Sequence, residues 1–198
     1  MIAIIDYGAG NLFSVQNALD YLGFKNCIAS DVKALETADK LILPGVGAFP
    51  DAMERLQKSG LIPTIKAEVQ KKPLLGICLG MQILFEKGYE FTECEGLGLI
   101  EGSVVRLEAN GLKIPHMGWN DLTFATPCAL LDEIAEHSYV YFVHSYGART
   151  ASENIAAYTV YGQQVVAVAH KGYVYGTQFH PEKSGGVGLK MLENFCKL

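Results

Sequence analysis

The run Pro73-Leu74-Leu75-Gly76-Ile77-Cys78-Leu79-Gly80-Met81-Gln82 decides how the rest of the chain is read. Pro73–Ile77 is apolar without alternation, so both of its faces must be covered, as in a strand inside a parallel sheet. The glycines at 76 and 80 then permit a sharp turn, and Gly80–Glu86 reads as a helix leaving it. Towards the N-terminus the same strand–helix alternation recurs. Ile2–Ile5 is a short apolar strand. Asn11 can cap a helix whose apolar positions Leu12, Val15, Leu19 and Leu22 share one face, and Gly23 stops it. Phe24–Ala29 and Leu41–Leu43 are further strands, and Ala48–Gln57 and Pro63–Lys71 further helices. Towards the C-terminus the pattern changes. Val104–Leu107, Tyr139–Val143, Ile155–Val160, Val165–Ala169 and Tyr173–Phe179 read as strands with short turns between them, followed by a helix near Val187–Lys197. The predicted fold is α/β: three αβα layers around a central, mostly parallel sheet, with an antiparallel addition in the C-terminal half. Residues 1–198 are expected to form a single domain.

Composition narrows the function by exclusion. The 198 residues are 49% hydrophobic and 19% charged, which is globular. Acidic residues outnumber basic ones, 21 to 16, so the clustered cations of a nucleic-acid binder are not expected. No apolar run approaches the roughly 20 residues of a membrane span. The opening Met1-Ile2-Ala3-Ile4-Ile5-Asp6 has neither the basic flank nor the apolar length of a signal peptide, so a cytoplasmic protein without a membrane partner is expected. Five cysteines without a CxxC pair and five histidines without HExxH spacing make neither a disulfide framework nor a metal site. Gly8-Ala9-Gly10 lacks the third glycine of a dinucleotide fingerprint, Phe13 standing in its place. No metal and no cofactor are expected.

The chemistry is concentrated in Gly76-Ile77-Cys78-Leu79-Gly80. Glycines two residues either side of a central residue, between a strand and a helix, let the turn project that residue's side chain. Here the residue is a cysteine, its thiolate is favoured by the following helix N-terminus, and the Leu79 amide is left free for an oxyanion. A thiol nucleophile needs an imidazole, and the imidazole an acceptor. His180-Pro181-Glu182 supplies both: in an extended chain, residues two apart face the same side, so Glu182 can hold the His180 ring. His144, at another strand end, is the competing base, whereas His116 falls in a loop after Pro115 and His137 reads as surface. Pro44-Gly45-Val46-Gly47 also follows a strand, so it shares with Cys78 the rim where ligands of parallel sheets bind. Gln82, one helical turn after Cys78, can reach a small polar substrate.

Gly76-Ile77-Cys78-Leu79-Gly80-Met81-Gln82 together with Phe179-His180-Pro181-Glu182 resembles the class I (triad) glutamine amidotransferases. Asp6-Tyr7-Gly8-Ala9-Gly10-Asn11, Leu43–Phe49, Pro115-His116-Met117-Gly118-Trp119-Asn120 and Tyr141–Tyr146 are similar to one branch of that family, the glutaminase subunits of imidazole glycerol phosphate synthases. The resemblance spans about Met1 to Leu198 and implies a triad of Cys78, His180 and Glu182 that hydrolyses L-glutamine to glutamate and ammonia. It implies an oxyanion site at Val46, Gly47 and Leu79 and substrate contacts at Gln82, Ser145 and Tyr146. It implies a heterodimer with a (β/α)₈-barrel cyclase, docked on an edge carrying Asn11, Trp119, Tyr141 and Lys183, through which ammonia reaches histidine biosynthesis. A barrel needs roughly 250 residues, so the cyclase is expected to be a separate polypeptide. Two other readings compete: a glutaminase serving a different synthase, and a stand-alone cysteine hydrolase.

Overall fold

The computed structural model describes residues 1–108 and 110–198. The N-terminal half runs β1 (Ile2–Ile5), α1 (Leu12–Tyr21), β2 (Asn26–Ala29), α2 (Val32–Thr37), β3 (Lys40–Gly45), α3 (Phe49–Ser59), α4 (Ile62–Glu68) and β4 (Leu74–Cys78). A single turn, α5 (Leu79–Gln82), leads into β5 (Phe85–Gly88), β6 (Cys94–Glu95), β7 (Ile100–Arg106), β8 (His116–Asp121) and β9 (Thr123–Phe124). The remainder is β10 (Tyr139–His144), β11 (Tyr146–Arg149), β12 (Ile155–Val160), β13 (Gln164–Lys171), β14 (Val174–Thr177) and α6 (Gly185–Lys197).

The central sheet has the order β2-β1-β3-β4-β14-β13-β12-β9. Its first five strands are parallel and the last three join antiparallel. Alternate strand residues feed opposite layers, as the pleat requires. Ala3, Ile5, Leu41, Leu43 and Leu74 pack with Leu35 of α2, Phe49 and Leu56 of α3 and Ile65 of α4. Ile2, Ile4, Ile42, Leu75 and Ile77 pack with Val15 and Leu19 of α1 and Leu192 and Phe195 of α6. This is the expected three-layer arrangement. A four-stranded sheet, β11-β7-β5-β6, and a two-stranded ribbon, β10-β8, stand beside it. Among the described residues no helix is long and apolar enough to cross a membrane.

Three local expectations are corrected. The helix read over Gly80–Glu86 ends at Gln82, because Phe85–Gly88 pairs with β7 and β6 instead. Sheet pairing there outweighs a helical apolar spacing. Val32–Thr37 is a helix that apolar spacing missed; Asp31 caps it by accepting a hydrogen bond from the Ala34 N–H at 2.9 Å. His116 lies in a strand, not a loop, directly opposite His144.

The end of α2 is fastened by one cation. The Lys72 ammonium donates to the carbonyls of Leu35, Glu36 and Ala38 at 3.0, 2.9 and 2.6 Å and meets the buried Glu68 carboxylate at 2.7 Å. Without Lys72 the three carbonyls lose their donor and the Glu68 carboxylate keeps only the exposed Lys71, at 2.9 Å. Lys72→Met is therefore expected to cost about 2–3 kcal/mol, read as a lower denaturant midpoint at unchanged slope.

Register then aligns the ends of three central strands. Gly45 of β3 lies opposite Cys78 of β4, and Thr177 of β14 opposite Ile77. The segments after β3, β4 and β14 therefore emerge side by side on one rim.

Candidate active site

Cys78 occupies a turn whose geometry depends on its two flanking glycines. Its backbone is at φ +56°, ψ −111°, a strained region for a residue with a side chain. The glycines are required by contact. A Cβ on Gly76 would sit 2.6 Å from the Gly80 carbonyl oxygen, and one on Gly80 would sit 1.8 Å from that of Leu43. The close approach of β3, β4 and α5 thus depends on bare backbone at both positions. Because α5 has only four residues, the helix-dipole contribution expected for Cys78 shrinks to that of a single turn.

His180 and Glu182 come together, though not by the route the sequence suggested. Pro181–Lys183 forms a 3₁₀ turn instead of an extended chain, and the His180 Nδ1 donates to Glu182 Oε1 at 2.8 Å. Both side chains are buried, at 4% and 1% exposure, so the ion pair is shielded from solvent. Burial alone pushes the His180 imidazole down. Hydrogen bonds to Cys78 and Glu182, with the charges of both, reverse this and raise it to about 9. The ring is therefore an imidazolium at neutral pH. With its ordinary value near 6.5, the fold favours the protonated form. That contribution is complete below about 6.5 and is lost as pH rises through about 9. Glu182→Gln removes the charge that holds the proton. The His180 titration followed by NMR is expected to fall from about 9 towards the ordinary range.

A cavity of about 390 Å³ opens over these groups. Cys78, His180, Val46, Gly47, Leu79, Gln82, Ser145 and Tyr146 all line it, so the rim collects most of the expected site. Gly47 has φ +105° with open space where a Cβ would be, so conformation and not crowding calls for glycine there. Lys183, expected only on the docking edge, also lines the cavity. Glu182 lies behind His180 and does not. Asn11 caps α1, accepting from the Ser14 N–H at 3.3 Å. Trp119, 55% exposed, stands edge-on to Tyr141 at 6.1 Å on the β8–β10 ribbon. The competing base His144 also lines the cavity, but both of its nitrogens are engaged: its Nδ1 donates to the Tyr146 carbonyl at 2.8 Å, and its Nε2 faces His116 at 3.0 Å. His137 is exposed, beside Asp121.

Three residues of the site were not anticipated. Gln178 is fully buried, with its Nε2 3.9 Å from the Cys78 Sγ and its Oε1 accepting from Gln82 Nε2 at 3.0 Å. A glutamine inside the apolar run Tyr173–Phe179 was the available signal. Glu90 brings a carboxylate to the cavity wall, where its Oε2 accepts from the Phe49 N–H at 2.8 Å. Nothing local in the sequence marks it. The buried Tyr7 hydroxyl sits against Gly45 without a hydrogen-bond partner. Its ionisation is pushed up by burial and then by the Cys78 charge, against the pull of Arg55.

The profile of the family "Glutamine amidotransferase class-I" matches residues 3–198. Among curated proteins, the chain is 52% identical over 201 residues to "Imidazole glycerol phosphate synthase subunit HisH 1" of Campylobacter jejuni (strain RM1221), covering 100% of both. It is 52% identical over 200 residues to "Imidazole glycerol phosphate synthase subunit HisH" of Caldanaerobacter subterraneus subsp. tengcongensis, covering 100% of this chain and 98% of that protein. It is 48% identical over 196 residues to the HisH subunit of Bacillus cereus, covering 98% and 93%. Among solved structures, PurLQS from Thermotoga maritima superposes with a TM-score of 0.79 at 20% identity, over 99% of this chain and 97% of that one. A structure described as a glutamine amidotransferase superposes with a TM-score of 0.76 at 20% identity, over 98% and 99%. At those identities the two structures speak for the fold.

Proposed function

The chain belongs to the class I glutamine amidotransferase family, and on that footing we propose that it is the glutaminase subunit of an imidazole glycerol phosphate synthase. It hydrolyses L-glutamine to glutamate and ammonia for histidine biosynthesis, acting as one glutaminase domain in the cytoplasm. The observation that carries this reading is the strained Cys78 lining the same cavity as His180, whose ring Glu182 holds.

His180, raised to about 9 by Cys78 and Glu182, is poised to carry the proton that the sulfur gives up on attack. Cys78 Sγ attacks the γ-amide carbon of glutamine and the carbonyl oxygen takes the charge. Val46, Gly47 and Leu79 line the same cavity as Cys78 and supply the backbone that receives this oxyanion; one such donor is worth about 10²–10³ in rate. His180 passes its proton to the departing nitrogen, ammonia leaves, and a thioester remains. The neutral ring then takes a proton from water, whose oxygen displaces the thiolate as glutamate. At the far wall, Gln82 and the Ser145–Tyr146 backbone face the amino-acid end of the substrate, with Glu90 the carboxylate available to its ammonium.

The partner is a separate (β/α)₈-barrel cyclase, forming a heterodimer over Asn11, Trp119, Tyr141 and Lys183. The pairing of exposed Trp119 with half-buried Tyr141 supports this, since aromatic residues are enriched in interface cores. Glutamate release is measured with and without the cyclase and its nucleotide ligand. Release should rise at least tenfold with both present; equal rates for the lone chain and the complex would overturn coupling to a cyclase.

A further inference from the structure

Two buried histidines have no part in the reaction just described. His116 and His144 stand directly opposite each other on β8 and β10, at 2% and 5% exposure. A polar pair inside an apolar layer is costly unless every atom is satisfied, and here every ring nitrogen is placed. The His144 Nδ1 is 2.8 Å from the Tyr146 carbonyl oxygen, which can only accept, so that nitrogen carries the proton. Burial, with the charges of His116 and His180 acting in the same direction, lowers His144 to about 4 despite the Tyr146 carbonyl; burial lowers His116 to about 4 as well. Both rings are neutral at working pH, so the His144 Nε2 is an acceptor. It lies 3.0 Å from the His116 Nδ1, which must therefore donate. The His116 Nε2 is then an acceptor as well, and Asn120 Nδ2 faces it at 3.4 Å while also donating to the Val160 carbonyl at 3.1 Å. The His116 ring is clamped between Phe142 and Tyr161, with centroids 4.7 and 4.0 Å away.

The far end of this chain is the glutamine pocket. The Tyr146 carbonyl that His144 holds also receives Gln82 Nε2 at 2.9 Å, and the same nitrogen reaches Gln178, which faces the Cys78 sulfur. We propose that His116 and His144 are positioning residues: a one-directional relay, Asn120 to His116 to His144 to the Tyr146 carbonyl, that sets the Tyr146 backbone and Gln82 at the substrate wall. The relay starts on β8, the strand that carries Trp119, and crosses β10 to reach Tyr146 on β11. The pocket's occupant is taken from the function proposed above; the relay itself is a property of the fold.

Two measurements test it. In the complex with the cyclase, His144→Phe removes the donor to Tyr146 and is expected to raise the KM for glutamine about tenfold, with kcat within about threefold. His144→Asn places an amide nitrogen where Nδ1 stands and is expected to restore KM to within about threefold of the parent. If the asparagine variant is as impaired as the phenylalanine variant, or if kcat falls while KM stays, the positioning role is wrong. The second measurement needs no variant and no substrate. Nitrogen-15 shifts of the unmodified protein are expected to show the Nδ1–H tautomer on both His116 and His144. An Nε2–H tautomer on either ring would overturn the relay even if the protein proved an active glutaminase. Failure of glutamine turnover in the parent protein would instead overturn the function and leave the tautomer result standing.

Discussion

Cys78→Ala is expected to lose about 10⁴-fold or more of glutamate release while keeping the fold. Among the described residues no second thiol lines the cavity, so none can take over the attack of the sulfur on the amide. The stability result is as informative as the kinetic one. Cys78 holds φ +56°, ψ −111°, and a residue with a Cβ in such a region carries about 1–3 kcal/mol of strain. Glycine relieves that strain but loses about 0.5–1 kcal/mol of chain entropy. Cys78→Gly is thus expected to melt about 2–4 °C above Cys78→Ala, both being inactive. Equal melting temperatures would mean that the turn is held without cost. Retained glutamate release in either variant would remove Cys78 from the reaction.

The second large effect is expected at Gly80→Ala. A methyl group there would stand 1.8 Å from the Leu43 carbonyl oxygen and 2.8 Å from its carbon, both of them backbone. No rotamer change can relieve this, so β3 must move away from α5. We expect a loss of about 3 kcal/mol or more, or no soluble protein. Gly186→Ala provides the internal comparison. Gly186 lies in α6 with nothing within 4 Å of the added carbon, and the change is expected to be neutral or to stabilise by about 0.4–1 kcal/mol. Thermal unfolding of the two variants side by side reads the contrast, and similar midpoints would refute the packing argument.

The parts of the molecule that were legible in the sequence are those with one physical cause each. β1, β3 and β4 were visible because strands buried on both faces need unbroken apolar runs. Cys78 was visible because a glycine-flanked turn confines its backbone tightly; His180 and Glu182 were visible by their closeness in the chain, although a 3₁₀ turn and not an extended chain brings them together. The small sheet and the β10–β8 ribbon were less legible because their strands are half exposed and carry mixed residues. His116-Met117-Gly118-Trp119-Asn120-Asp121 has no alternation from which a strand could be read, and only pairing with β10 makes it one. Tertiary context also cut the helix after Cys78 to one turn. Glu90 and Tyr7 were invisible for a different reason: their place in the site is fixed by what folds against them, the Phe49 amide and Gly45, 41 and 38 residues away in the chain.

The sheet order also governs when the site can exist during synthesis. β14 is a central strand, inserted between β4 and β13, yet it is contributed by residues 174–177. Until the ribosome has delivered it, β4 remains an unpaired apolar edge, open to misassociation. The parallel β4–β14 pairing spans about a hundred residues, the kind of non-local contact that forms slowly. The nascent chain therefore holds its thiol long before its imidazole and carboxylate arrive. A chain stalled short of residue 182 lacks Glu182 and so cannot complete the proposed triad.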